Sequence, residues 1–116
     1  MTDIRILHNP RCSKSRATKQ ILDDQQADYD VVDYLKNPPD KATLKEILAM
    51  LGMRPRELMR QSEAVYKEKN LADDSLDDEA LIDAMIENPI LIERPIVITN
   101  GKAVIGRPPE KVLDIL

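Results

Sequence analysis

The chain has one cysteine, one histidine, no tryptophan and no phenylalanine. A single cysteine excludes an internal disulfide, so the fold does not depend on an oxidising compartment. One cysteine and one histidine also leave too few ligands for an ordinary nitrogen–sulfur metal site, and neither a bound metal nor a bound cofactor is expected. Tyr29, Tyr34 and Tyr66 are the only aromatics, too few for a base-stacking surface, and a net charge of −4 gives no support for non-specific nucleic-acid binding. No segment approaches the apolar length of a membrane span, and Met1–Arg5 carry charge without an apolar signal core. A cytoplasmic protein that engages neither nucleic acid nor membrane is expected. Nucleotide-binding glycine loops, internal repeats and low-complexity tracts are also missing.

What is present reads as an α/β chain. Its 116 residues suit one domain, which can bury about two-thirds of its unfolded surface. Ile4 to Leu7 and Tyr29 to Val32 read as short strands, and Ser13 to Asp24 reads as a helix with Ala17, Ile21 and Leu22 on one face. Two strands joined by a helix predict a right-handed βαβ unit. Asn37-Pro38-Pro39-Asp40 opens a second helix with Leu44, Ile47, Leu48 and Leu51 as its stripe, stopped by Gly52. Pro55 starts a short helix that carries Leu58 and Met59 and ends at Arg60. Ser75 with Asp78 resembles a capping box for a helix burying Leu81, Ile82, Met85 and Ile86. Ile96–Ile98 and Ala103–Ile105 flank Asn100-Gly101, a strong hairpin signal. Pro108 to Leu116 reads as a closing helix with Val112, Leu113 and Leu116 inward. The sum is one domain over residues 1–116: βαβ, a helical insertion at about 40–90, then ββα, with one mixed sheet.

The chemistry centres on His8-Asn9-Pro10-Arg11-Cys12-Ser13-Lys14-Ser15-Arg16. Cys12 falls between a strand and a helix, where the unpaired N–H groups of the first turn and nearby cations favour a thiolate. The competing reading is a buried structural thiol. His8 suits either a hydrogen-bonded strand end or a group that tunes the thiol. Cys12 to Ser15 is C-x-x-S, so no second thiol can resolve a disulfide within the chain, and any disulfide must form with another molecule. The position six after Cys12 is Thr18 and not arginine, which disfavours a phosphatase-type anion loop. Arg60, Arg94 and Arg107 carry guanidinium forks suited to a tetrahedral oxyanion. Taken singly, each better suits a solvated surface position, Arg60 as a complement to a helix C-terminus, and Glu93 is placed in sequence to neutralise Arg94.

Taken together, His8-Asn9-Pro10-x-Cys12-x-x-Ser15-Arg16, Glu57-Leu58-Met59-Arg60, Asn88 to Val97 and Gly106-Arg107-Pro108 resemble the glutaredoxin-coupled arsenate reductase family, ArsC type. The likeness covers nearly the whole chain and is closest to the short YfgD-like branch. The resemblance implies a thioredoxin-like fold with a helical insertion and a cis peptide bond before Pro95. It implies that Cys12 is the nucleophile, that His8 and Ser15 tune it, and that Arg60, Arg94 and Arg107 hold arsenate or a similar oxyanion. Glutathione would be the co-substrate and glutaredoxin the protein partner, with the chain acting as a monomer. Two rival readings stand beside it. One is a general glutathione-linked thiol oxidoreductase. The other is an Spx-like, non-enzymatic regulator that binds RNA polymerase, although Ser15 removes the C-x-x-C switch many such regulators use.

Overall fold

The computed structural model describes residues 4–116. These fall into two compact units, residues 4–37 with 94–116, and Pro38–Glu93.

The first unit is a four-stranded sheet with helical cover. The strands are β1 (Ile4–Leu7), β2 (Tyr29–Val32), β3 (Ile96–Thr99) and β4 (Lys102–Ile105), in the spatial order β2-β1-β3-β4. β1 runs parallel to β2, pairing Ile4 with Tyr29 and Leu7 with Val32. β3 is antiparallel to both β1 and β4, so the sheet is mixed. The parallel pair needs a crossover, and α1 (Ser13–Asp24) supplies it. The β3–β4 turn places Asn100 at φ 54° and Gly101 at φ 71°. Both residue types tolerate this left-handed region, which a two-residue hairpin requires. Ile6, Leu22, Val97 and Val112 are completely buried together, with Ile4, Ile21, Tyr29 and Val104 packed around them. Each such aliphatic side chain contributes about 1.5–3 kcal/mol on burial.

Two expectations in this unit are corrected. The buried stripe of α1 is Ser15, Thr18 and Leu22, while Ala17 is exposed. Thr18 Oγ1 donates to the Lys14 carbonyl at 2.9 Å, so a hydroxyl can occupy a buried position that an apolar count assigns elsewhere. The closing segment is a 3-10 helix over Pro109–Asp114. At three residues per turn, Val112 points inward while Leu113 and Leu116 stay exposed at 45% and 44%.

The second unit is helical. α2 (Lys41–Leu51) begins at Asp40, whose side chain accepts from the Thr43 N–H at 2.8 Å, and stops at Gly52 with φ 66°. α3 (Pro55–Leu58) ends before Arg60: Met59 is already extended and pairs with Ile92 in an isolated antiparallel bridge. A further short helix, α4 (Ala64–Glu68), buries Tyr66. α5 (Asp78–Glu87) is capped by Asp77, which accepts from the Ala80 N–H at 2.9 Å. The expected Ser75 cap is not used: the Ser75 hydroxyl donates to Asp73 instead. Leu44, Ile47, Leu58, Leu81, Met85 and Leu91 are fully buried, and Ile86 is half-buried. Lys41 and Lys45 reach Glu79 and Asp83 across the surface, contacts worth little individually because water screens them.

The arrangement is α/β, a mixed thioredoxin-like sheet with a helical insertion between its halves. The Arg94–Pro95 peptide bond is cis, as the resemblance implies, and so is Arg107–Pro108. No helix among the described residues is long and apolar enough to cross a membrane.

Candidate active site

Cys12 is the N-cap residue of α1, with extended backbone at φ −94° and ψ 123°, and its residue surface is 8% exposed. The loop before it is tied down at several points. His8 N–H donates to the Val32 carbonyl at 3.0 Å, prolonging the β1–β2 ladder by one residue. Asn9 Oδ1 accepts from the Arg11 N–H at 3.0 Å, an Asx turn, and the Asn9 carbonyl accepts from the Cys12 N–H at 3.0 Å. Arg16 closes the loop from the helix side, donating through Nη1 to the Pro10 carbonyl at 3.2 Å. The thiol therefore sits on a backbone held by its own neighbours, at the positive end of a twelve-residue helix.

Ser15 is completely buried and is the hub beneath the loop. Its Oγ accepts from the Asn9 N–H at 3.0 Å and lies 2.6 Å from His8 Nδ1. His8 is itself buried. That burial, with the positive charges of Lys19 and Arg16 nearby, lowers its pKa below the ordinary 6.5, against a smaller upward pull from Asp33. The ring is therefore chiefly neutral at pH 7 and acts through its hydrogen bond rather than as a cation.

The last third of the chain supplies the charge. Arg107 follows β4 and brings Nη2 to 3.7 Å from Cys12 Sγ. The same guanidinium donates through Nε to the Arg94 carbonyl at 2.9 Å. Its backbone is fixed as well, with the Arg107 N–H on the Ile105 carbonyl at 2.8 Å and the Gly106 N–H on the Pro95 carbonyl at 3.0 Å. Gly106 permits this approach: a Cβ there would collide with Thr18 Oγ1 and lie 2.9 Å from Pro95 Cγ. Sequence reasoning passes over Asn9, Thr18 and Gly106 as positioning residues; an Asn before a turn and a Gly beside Arg-Pro are the signals that point to them.

Arg60 belongs to the helical unit. Its N–H donates to the Leu91 carbonyl at 2.7 Å, and its guanidinium lies 3.7 Å from Glu63 and 3.8 Å from Glu93. Glu93, placed in sequence to neutralise Arg94, has this ion pair with Arg60. The sheet unit thus joins Cys12, Arg107 and the Arg94 backbone carbonyl, and Asn9 links them to the Ser15–His8 pair beneath the loop. A thiol held against a fixed guanidinium, on a helix N-terminus, is equipped to attack an electrophilic centre that carries negative oxygens. No group of three or more potential metal ligands occurs among the described residues.

Comparison with known proteins gives the chain a family. The model of the ArsC family matches residues 7–115. This chain belongs to the ArsC family. It is 60% identical over 114 residues to the YfgD protein of Escherichia coli K12, covering 97% of this chain and 96% of that one. It is 46% identical over 117 residues to an arsenate reductase of Neisseria meningitidis, covering the whole of both chains. Among solved structures, an arsenate reductase from Vibrio cholerae superposes with a TM-score of 0.95 at 50% identity, covering 97% of each chain. The ArsC-family chain described here therefore shares the fold of these proteins along nearly its full length.

Proposed function

We propose that this ArsC-family chain is an arsenate reductase that works through a Cys12 thiolate and borrows its reductant from glutathione and glutaredoxin. The observation that carries the reading is the contact between Arg107 Nη2 and Cys12 Sγ at 3.7 Å, in a guanidinium already locked to the Arg94 carbonyl. The names of relatives 46% and 50% identical to it support arsenate as the anion.

In this reading arsenate is held by Arg94 and Arg107, and the family resemblance adds Arg60 as a third guanidinium. Fixed cations offset the charge that builds as a thiolate approaches an anion. Cys12 sulfur forms a bond to arsenic and one oxygen leaves as water, giving an S–As(V) adduct. Glutathione thiolate then attacks Cys12 sulfur. The S–As bond breaks with its electron pair going to arsenic, so arsenite leaves and a Cys12–glutathione disulfide remains. An external thiol is needed because Cys12 is the chain's only cysteine. A glutaredoxin thiol takes the glutathione and returns Cys12 to its thiolate.

The test is a coupled assay with arsenate, glutathione, glutaredoxin and NADPH. Arsenate-dependent NADPH consumption that disappears in Cys12→Ser is expected. No consumption by folded, reduced wild-type protein would overturn the arsenate reading. Faster turnover of glutathione mixed disulfides than of arsenate would replace it with a general thiol oxidoreductase.

A further inference from the structure

The helical unit contains a cavity of about 480 Å³ remote in sequence from the cysteine loop, lined by Arg54, Arg56, Glu57, Gln61, Asp78 and Leu81. Two guanidiniums and two carboxylates face one space, yet neither arginine forms an ion pair within 4 Å with either acid. Two of these four side chains, Arg56 and Glu57, are fixed by hydrogen bonds to backbone. Arg56 is anchored by Nη2, which donates to the Leu71 carbonyl at 3.3 Å and the Asp73 carbonyl at 2.9 Å. Its Nε is buried against protein, which further fixes the guanidinium and leaves that nitrogen out of a ligand's reach. Glu57 is held from the other side, its Oε1 accepting from the Arg54 N–H at 2.9 Å, which leaves its second oxygen uncommitted. Asp78 opens α5, where Asp77 already performs the capping, so the Asp78 carboxylate has no capping duty.

We infer that this cavity binds a small zwitterion, with its carboxylate on Arg54 and Arg56 and its ammonium on Glu57 and Asp78. One ligand bearing both charges satisfies both sets at once, which neither a simple anion nor a simple cation does. Because Arg56 and Glu57 are pinned before the ligand arrives, little ordering cost falls on binding. The matching chemistry is the α-ammonium and α-carboxylate headgroup, carried equally by a free amino acid and by the γ-glutamyl end of a small peptide. The cavity lies wholly within the Pro38–Glu93 unit, so the inference does not depend on the arsenate reading.

The experiment is a titration of the isotopically labelled full chain, followed by amide NMR shifts, with L-glutamate and with S-methylglutathione, whose blocked thiol cannot react at Cys12. Acetate and methylammonium are the single-charge controls. Saturable shifts at Arg54, Gln61 and Asp78 with a zwitterion and not with the controls are expected. Saturation by glutamate assigns the site to free amino acids, and saturation by S-methylglutathione alone assigns it to γ-glutamyl peptides. Arg54→Gln and Asp78→Asn change exposed side chains without a structural hydrogen bond, and each is expected to weaken binding about tenfold. No saturable shift with either zwitterion, equal saturation by acetate, or unchanged affinity in both variants would overturn the inference.

Discussion

Arg107 touches Cys12 with one nitrogen while a second is committed elsewhere: Nη2 lies 3.7 Å from Sγ, and Nε donates to the Arg94 carbonyl at 2.9 Å. The guanidinium plane is thereby set by backbone on one side and by the thiol on the other. A flexible cation near sulfur would supply charge alone. This one supplies charge in a fixed orientation, which is what an anion with several oxygens can use.

Arg107→Lys separates the two contributions. Lysine keeps the positive charge but cannot donate to the Arg94 carbonyl and reach Sγ in the same planar geometry. The arsenate-dependent rate in the coupled assay is expected to fall roughly 10²-fold, and alkylation of Cys12 by iodoacetamide to slow at fixed pH. A lysine variant with wild-type rates would mean that charge alone suffices.

Ser15→Ala removes a buried hydroxyl that serves two partners, the Asn9 N–H and His8 Nδ1. Both lose their contact inside the protein, where water cannot replace it. A loss of about 1–3 kcal/mol in stability is expected, read from urea unfolding curves, with a larger effect than Ser13→Ala at the exposed neighbouring position. Equal curves for the two variants would remove Ser15 from the loop's support.

His8 gives the stability a pH dependence of known sign. Its folded pKa lies below the ordinary 6.5, so the unfolded chain binds the proton more tightly. The stability held in the neutral buried ring is complete above pH 6.5 and is lost as pH falls through the lowered folded value. His8→Gln, which cannot titrate, is expected to lose less stability on acidification across this window. The check is urea midpoints on either side of 6.5; an acid limb as steep as wild type would place the effect on carboxylates instead.

Gly106→Ala tests the close approach beside Arg107. The added methyl meets Thr18 Oγ1 and Pro95 Cγ, so α1 or the Gly106 segment must shift. A cost of about 1–3 kcal/mol is expected together with a lower arsenate-dependent rate. Thr18→Ala in the same chain removes one of the two colliding groups and is expected to restore part of both losses, measured as a double-mutant cycle. Strict additivity would show that the two sites do not share this contact.

Local signals make much of this architecture legible in the sequence. β1 and β2 read correctly from short apolar, β-branched runs, and the hairpin from Asn100-Gly101, because turn chemistry and strand pattern agree there. α1 is legible in extent but not in facing, since Thr18 hides its polarity against the Lys14 carbonyl while Ala17 faces solvent. The final segment misleads because a 3-10 helix changes which residues share a side, exposing Leu113 and Leu116. At the site, the place of Cys12 on a helix start and the spacing to Ser15 follow from the chain itself. The clasp between Arg107 and the Arg94 carbonyl does not, because a backbone acceptor has no residue signature and the two arginines meet only through strand pairing.

Cys12 and Arg107 are 95 residues apart in sequence. During synthesis from the N-terminus, the thiol leaves the ribosome long before the arginine that will face it exists. Forming their contact is therefore a late event, with the loop-closure entropy of nearly the whole chain behind it. An incomplete chain carries a cysteine without its guanidinium, and the paired site arises only in molecules whose first and last thirds have joined in one sheet.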